Sequence, residues 1–318
     1  MVNFLKLPPP PPCSYEIRDL PGKGKGVVVL RDIAMSEVVI IEGPILFFPN
    51  MMSVYLKDTP LAIDILGRMQ PRTRQTFLSL SNVKDINVPH LMGIMATNGI
   101  GISLKKGSQM FGSIVLDISR INHSCGPNIT WIWNRYLFVN IVQASRNTHK
   151  GEEIITEYET LDQPYADRRF ELERKYNFKC TYDYCTNTPA TSDHNRAYYT
   201  AEDTMDLKFR HLSIILLASL QVQDAQLKAA DLLQYLTRGL VTLTKEGIEA
   251  THAQMYYVYL MQVYGLQGDE KNFLKWGFKA ILMYTGNSLY RLEREIEQWI
   301  GWMQDPKRNF PHWAILLE

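Results

Sequence analysis

Cysteine is scarce in this chain: Cys13, Cys125, Cys180 and Cys185 are the only four among 318 residues. A secreted fold stapled by disulfides needs a denser framework, so a reducing compartment is expected. Charge of one sign is missing too, because 34 Lys and Arg against 33 Asp and Glu leave a net charge of +1. That balance supplies no basic field for direct nucleic-acid binding. No apolar run reaches the length of a membrane span, and Leu212–Leu220 is both short and interrupted. Met1–Leu7 lacks the apolar core of a signal peptide before the prolines begin. A soluble nuclear or cytoplasmic protein with no membrane partner is the expectation.

What is present is an ordinary core composition, with 46% hydrophobic residues, enough for two domains. Pro8–Pro12 form a short polyproline II stretch, which reads as a spacer or as a ligand for an aromatic-lined groove. From Tyr15 to Ile41 the pattern is strand, glycine turn, strand. The period then changes: Leu61, Ile65, Leu66 and Met69 share a helical face, and Pro71 is suited to open a second helix carrying Phe77 and Leu80. Strand character returns at Ser113–Ile118, Thr130–Trp133, Tyr136–Val142 and Glu153–Tyr158. Strands split by a helical insertion, without βαβ alternation, exclude a doubly wound sheet and place the chain in the α+β class. Beyond about residue 195 the pattern is helical, with a capping box at Thr200 and Asp203 and a face formed by Leu212, Ile215, Leu216 and Leu220. Gly247, Gly268 and Gly286 mark expected helix ends. Tyr256–Ala280 reads as one weak tetratricopeptide-type helix pair.

Four polar, turn-forming blocks stand between these apolar runs. Gly22-Lys23-Gly24-Lys25-Gly26 lacks the spacing and the terminal Lys-Ser/Thr of a phosphate loop, so a hairpin turn is its simplest reading. Arg120-Ile121-Asn122-His123-Ser124-Cys125-Gly126-Pro127-Asn128 sets a histidine near a cysteine, as a nucleophile pair would, but no orienting group is evident. Gly151-Glu152-Glu153-Ile154-Ile155-Thr156-Glu157-Tyr158 is an apolar strand closed by a tyrosine, and Tyr176-Asn177-Phe178-Lys179-Cys180 follows it. Glu152, Glu153, Glu157, Glu159 and Asp162 read either as a field that steers a basic peptide or as a solvated sheet edge.

In this order the four blocks resemble those of SET-domain protein-lysine methyltransferases. The similarity is to fungal-type SET proteins, related to the SET-and-MYND group but without the cysteines of a MYND finger. The resemblance implies a SET fold of small β-sheets with a pseudoknot and a helical insertion at about 50–95. It divides the chain into a proline-rich segment 1–13, a SET domain 14–170, a post-SET segment 171–190 and an all-α, weakly tetratricopeptide-like domain 196–318. It also implies S-adenosylmethionine as cofactor, contacted by Lys23, Gly24, Lys25, Asn98, Asn122, His123, Tyr158 and Phe178. Tyr158 and Tyr176 are the implied catalytic pair. Asn98 stands in the family's Asn-x-Phe element, although Ile100 replaces its aromatic. The family's four-thiolate zinc site maps onto Cys125, Cys180 and Cys185, with Tyr182 in place of the fourth ligand. Asp183 or His194 is then the candidate to complete a closed set, and three buried thiols are the other reading. The implied partner is a protein or peptide lysine, histones included, met by a monomer. A binding protein with a degenerate core and a methyltransferase of a small metabolite stay open as alternatives.

Overall fold

The computed structural model describes residues 14–49, 59–104, 110–135, 137–186, 191–200, 204–287 and 293–317. Pro8–Pro12 and Cys13 therefore lie outside the described residues. The chain divides into two compact units. The first holds Met1–Ser124, Asn128–Glu159 and Arg168–Thr181; the second holds Cys125–Pro127, Thr160–Asp167 and Tyr182–Glu318.

In the first unit β1 (Tyr15–Leu20) and β2 (Gly24–Val29) form the expected hairpin. Gly22 and Gly24 take positive φ at its turn, a conformation open to glycine at no steric cost. β3 (Val38–Glu42) and β4 (Leu46–Pro49) follow, then the helical insertion α1 (Thr59–Arg68), α2 (Pro71–Leu78) and α3 (His90–Asn98). Pro71 does open α2, where a missing N–H costs nothing. Phe77, Leu80, Leu91, Ile94 and Met95 bury one face of the insertion, with Ile65, Leu66 and Met69 packed against them. The side chain of Leu61 lies outside the described residues. β5 (Ile100–Ser103), β6 (Met110–Ile114), β7 (Asn122–His123), β8 (Ile129–Asn134), β9 (Val139–Ala144) and β10 (Glu153–Thr156) complete three small sheets, ordered β1-β2-β10-β7, β3-β9-β8 and β4-β6-β5. Val27, Val29, Val39, Ile40, Val142 and Ile154 are among the side chains that make their shared core.

Three strand expectations are corrected. Of Tyr136–Val142, Tyr136 lies outside the described residues and the strand begins only at Val139. The run Ser113–Ile118 is strand only as far as Ile114, and Ile118–Arg120 winds into a 3₁₀ turn. The cause is long-range: the Glu42 carboxylate, from β3, accepts the N–H groups of Leu116, Asp117 and Ile118 at 3.0–3.1 Å. These amides are thereby turned away from any sheet ladder. Burial raises Glu42 to about 7 against the opposing pull of the three amides. The run Glu153–Tyr158 is strand only to Thr156, which leaves Tyr158 two residues beyond the edge.

β7 and β10 run parallel, with Asn122 opposite Ile155 and His123 opposite Thr156. Asn128 extends this pairing with a side chain. Its amide nitrogen donates to Glu153 O at 2.8 Å, and its amide oxygen accepts from Ile155 N at 2.8 Å. A carboxamide has the donor and acceptor of a peptide group, so Asn128 replaces one rung of a ladder.

α4 (Tyr165–Tyr176) precedes the helices of the second unit: α5 (Asp183–Thr186), α6 (Ser192–Thr200), α7 (Thr204–Ala218), α8 (Val222–Lys245), α9 (Glu249–His252), α10 (Gln254–Leu266), α11 (Glu270–Asn287), α12 (Glu293–Gln304) and α13 (Pro306–Asn309). Thr200 closes α6, and 201–203, where the expected capping box falls, lie outside the described residues. Gly247 and Gly268 end α8 and α10 in the left-handed conformation, as read from sequence, whereas α11 runs through Gly286 to Asn287. α10 is buried on nearly every face, from Tyr256 to Met261 without a break. A charged knot holds the N-terminal part of this unit. The Arg196 side chain, fully buried, donates to the carbonyls of Leu161, Cys125 and Glu246 at 2.7–3.2 Å and pairs with the Glu246 carboxylate at 3.3 Å.

Two tests follow from this packing. Asn128→Ala strands a buried N–H and a buried C=O, and should destabilise the first unit by about 2–5 kcal/mol, read from its denaturant midpoint. An unchanged midpoint would deny the rung its role. His211 is buried, its Nε2 has no partner among the described residues, and burial, aided by His312, lowers it to about 4. Between pH 6.5 and about 4 the unfolded chain binds a proton there that the folded chain refuses, so stability falls as pH falls through that window. His211→Leu should flatten this fall, by about 2 kcal/mol, in thermal melts at pH 7 and pH 5.

Candidate active site

The first unit gathers four aromatic side chains from three distant parts of the sequence. His123 lies 5.4 Å from Tyr158 and 5.9 Å from Phe178, centroid to centroid. Tyr158 lies 4.8 Å from Tyr176 and meets Phe178 edge-on at 6.3 Å. Tyr176 and Phe178 are 6.5 Å apart. Such a group of ring faces attracts cations, and ammonium and sulfonium groups suit it.

Each ring is held by the backbone around it. β7 carries His123 into the sheet, where Nδ1 accepts the Tyr158 N–H at 3.0 Å, which assigns its proton to Nε2. The Tyr158 hydroxyl donates to Ile121 O at 2.7 Å, so its lone pairs remain to accept from a guest. Burial, assisted by Tyr176 and Glu153, pushes the Tyr158 phenol far above the ordinary tyrosine value. The Tyr176 phenol moves the same way, for burial first and Glu159 second. Both phenols are therefore neutral donors and acceptors, not bases. Burial also raises the Glu157 carboxyl.

The hairpin lies on the same sheet. Lys23 pairs with Glu153 at 2.9 Å, and Lys25 pairs with Asp19 at 3.1 Å. The Asn122 amide donates to Glu153 Oε1 at 2.8 Å and to Lys25 O at 3.2 Å, which stitches the hairpin to β7. Gly26 is needed for this approach: a Cβ there would stand 2.3 Å from Leu20 and 3.0 Å from both the Asn122 amide and the Glu153 carboxylate. Lys23, Gly24 and Lys25 themselves are exposed.

Sequence reasoning located the rings and the hairpin but not Glu153 as the carboxylate that holds Lys23 and Asn122. Asn98 lies apart in character: it ends α3, is buried, and gives both amide hydrogens to the carbonyls of Ser81 and Ile94 at 2.7 Å. Of the acidic residues expected to steer a peptide, Glu153 and Glu159 are paired with Lys23 and Lys175.

The cysteines are divided between the units. In the second, the Cys125 and Cys185 thiols are 3.0 Å apart and buried. In the first, Cys180 and His123 offer ligand atoms within 4.8 Å of each other. Asp183 and His194 are exposed, and neither joins a group of three or more ligand atoms among the described residues. A phenol at Tyr182 is no thiolate, so the family's four-sulfur set is not reproduced.

Residues 24–159 match the family model described as "SET domain", a span that takes in the hairpin from Gly24, Asn122, His123 and Tyr158. The particular relatives bear out the resemblance to lysine methyltransferases. Histone-lysine N-methyltransferase set5 of Schizosaccharomyces pombe is 24% identical over 283 residues, covering 86% of this chain and 79% of that protein. N-lysine methyltransferase SMYD2 of Bos taurus is 34% identical over 100 residues, which is 31% of this chain and 22% of that protein. Histone-lysine N-methyltransferase SMYD1 of Homo sapiens is 27% identical over 141 residues, 41% of this chain and 28% of that protein. This chain thus matches only about a quarter of the length of the SMYD proteins, and no helix among its described residues is long and apolar enough to cross a membrane.

Proposed function

We propose that the first unit is an S-adenosylmethionine-dependent methyltransferase acting on the ε-amine of a protein lysine. The observation that carries this reading is the enclosure of Tyr158, Tyr176, His123 and Phe178. When bound, the cofactor supplies an electrophilic methyl group on a sulfonium. Lys23 and Lys25 suit its carboxylate, Gly24 the close backbone approach, Asn122 and His123 the adenosine portion, and Phe178 the adenine ring. Tyr158 and Tyr176 line the path of the incoming lysine.

The chain's residues have two tasks. A lysine amine must be neutral to attack, and leaving it so at pH 7 costs on the order of 4–5 kcal/mol in water. Exclusion of water, and the positive sulfonium of a bound cofactor, favour the neutral amine. The second task is alignment. With its proton given to Ile121 O, the Tyr158 oxygen presents lone pairs to the amine and the methyl group, and holds them on line. A phenol of raised pKa removes no proton, so the amine's proton leaves to solvent before transfer.

One observation favours the binding-protein alternative. Both amide hydrogens of Asn98 are committed to backbone carbonyls, where the family resemblance assigns this residue to cofactor. Histones are among the substrates this reading allows, since set5 and SMYD1 carry that name.

Calorimetry and single-turnover rates on one variant separate the readings. Tyr158→Phe should bind S-adenosylmethionine as the parent does and lose about 30- to 1,000-fold in rate, or about 2–4 kcal/mol. Binding without turnover in the parent would favour the scaffold; no binding at millimolar cofactor would end the enzyme reading. For zinc, the Cys125 and Cys185 thiols keep part of the family's set and Tyr182 breaks it. Elemental analysis should find less than one zinc per chain, and a full equivalent would establish a fourth ligand beyond the three thiols.

A further inference from the structure

Lys84 is a charged side chain that the mechanism above does not use. It lies in the segment between α2 and α3, and that segment is tied down at every step. Asn98 Nδ2 donates to Ser81 O at 2.7 Å, Val83 N to Thr97 Oγ1 at 3.3 Å, and Lys84 N to Asn82 Oδ1 at 3.1 Å. From this fixed base the lysine reaches a residue 91 positions later. Its Nζ donates to Lys175 O at 2.5 Å and lies 5.9 Å from the centroid of the Tyr176 ring.

We infer that Lys84 is a positioning residue for Tyr176, fixing the wall of the lysine path; this rests on the methyl-transfer reading. The acceptor is chosen by helix chemistry. Lys175 O belongs to the last turn of α4, where carbonyls lack intrahelical partners and the dipole is negative. One ammonium thus anchors the end of α4 and faces the ring of the next residue, so the ring inherits the position of the anchor. The neighbouring cations have other partners. Lys175 pairs with Glu159 at 2.7 Å and Glu171 at 3.2 Å, and Arg174 pairs with Glu171 at 2.6 Å. Among the described residues Lys84 has no such carboxylate, and its charge is met by a carbonyl and a ring face. Burial, with Arg174 and Lys175, draws its pKa down, as expected of an ammonium held without a counter-ion.

The experiment has a readout that needs no turnover. In the full chain labelled with ¹³C at tyrosine rings, the Tyr176 signals are assigned by their loss in Tyr176→Phe. Lys84→Met should shift these signals and leave those of Tyr257 in place, and Lys84→Arg, which keeps both donor and cation, should bring them back. With a lysine peptide as substrate, Lys84→Met should lose about tenfold in kcat/KM through a raised peptide KM and a lowered kcat, with cofactor affinity unchanged. If Lys84→Met does not fold, Lys84→Gln is read in its place. Unmoved Tyr176 signals in a folded variant overturn the inference, as does unaltered kcat/KM in a protein that turns over. Absence of methyl transfer in the parent would strike the methyl-transfer reading instead, and the ring signals would still decide whether Lys84 positions Tyr176.

Discussion

A single carboxamide holds the centre of the first unit together. Asn128 grips β10 through the two peptide groups that flank Ile154, and beside it the Ser124 N–H reaches Thr156 O at 2.8 Å. The parallel pairing sets His123 opposite Thr156, beside the turn that follows the strand. The Tyr158 N–H then has its acceptor, and the Tyr158 hydroxyl has Ile121 O. The polar contacts that orient His123 and Tyr158 lie beside this clasp. β7 itself is only two residues long. The side chain supplies the rung that so short a strand lacks.

The charges around the enclosure follow a consistent rule. Formal charge is kept on the hairpin and the helix end, in pairs such as Lys23 with Glu153 and Lys175 with Glu159. The interior is lined with two phenols of raised pKa, a histidine that accepts a backbone N–H, and a phenylalanine. A guest cation finds ring faces there, with Glu153 and Glu159 already paired to lysines. Pairs on the exposed rim contribute little stability themselves, but they settle where the lysines point.

Much of this was legible in the sequence, and the illegible parts share one cause. Local signals were sufficient where the structure is local: the β1–β2 turn, Pro71 at the head of α2, and the glycines behind α8 and α10. The apolar run through Ser113 read as one strand because nothing nearby reveals that Glu42, more than seventy residues earlier, claims its amides. Tyr158 read as the end of a strand because its real neighbour, His123, arrives by parallel pairing. Lys84 gave no signal at all, being a lone lysine in a polar segment whose contacts are all made by folding. The thiol motif was legible residue by residue, yet its sequence could not say that Cys125 is fixed by Arg196. Motif spacing reports which residues meet; it does not report which backbone groups they take.

The parallel pairing of β7 with β10 also bears on how the molecule assembles. Parallel neighbours cannot be joined by a tight turn, and here about thirty residues, including the β8–β9 hairpin, separate the two. The entropy of closing that loop is spent before a two-residue ladder gives anything back. The β1–β2 and β8–β9 hairpins have their partners close at hand and form without that wait. The enclosure is thus a late product of folding, since its rings come together only when non-local strand pairs, β2–β10 and β7–β10, have found their register. A ligand that needs all four rings binds only chains that have completed this last step, so its binding doubles as a census of fully folded molecules.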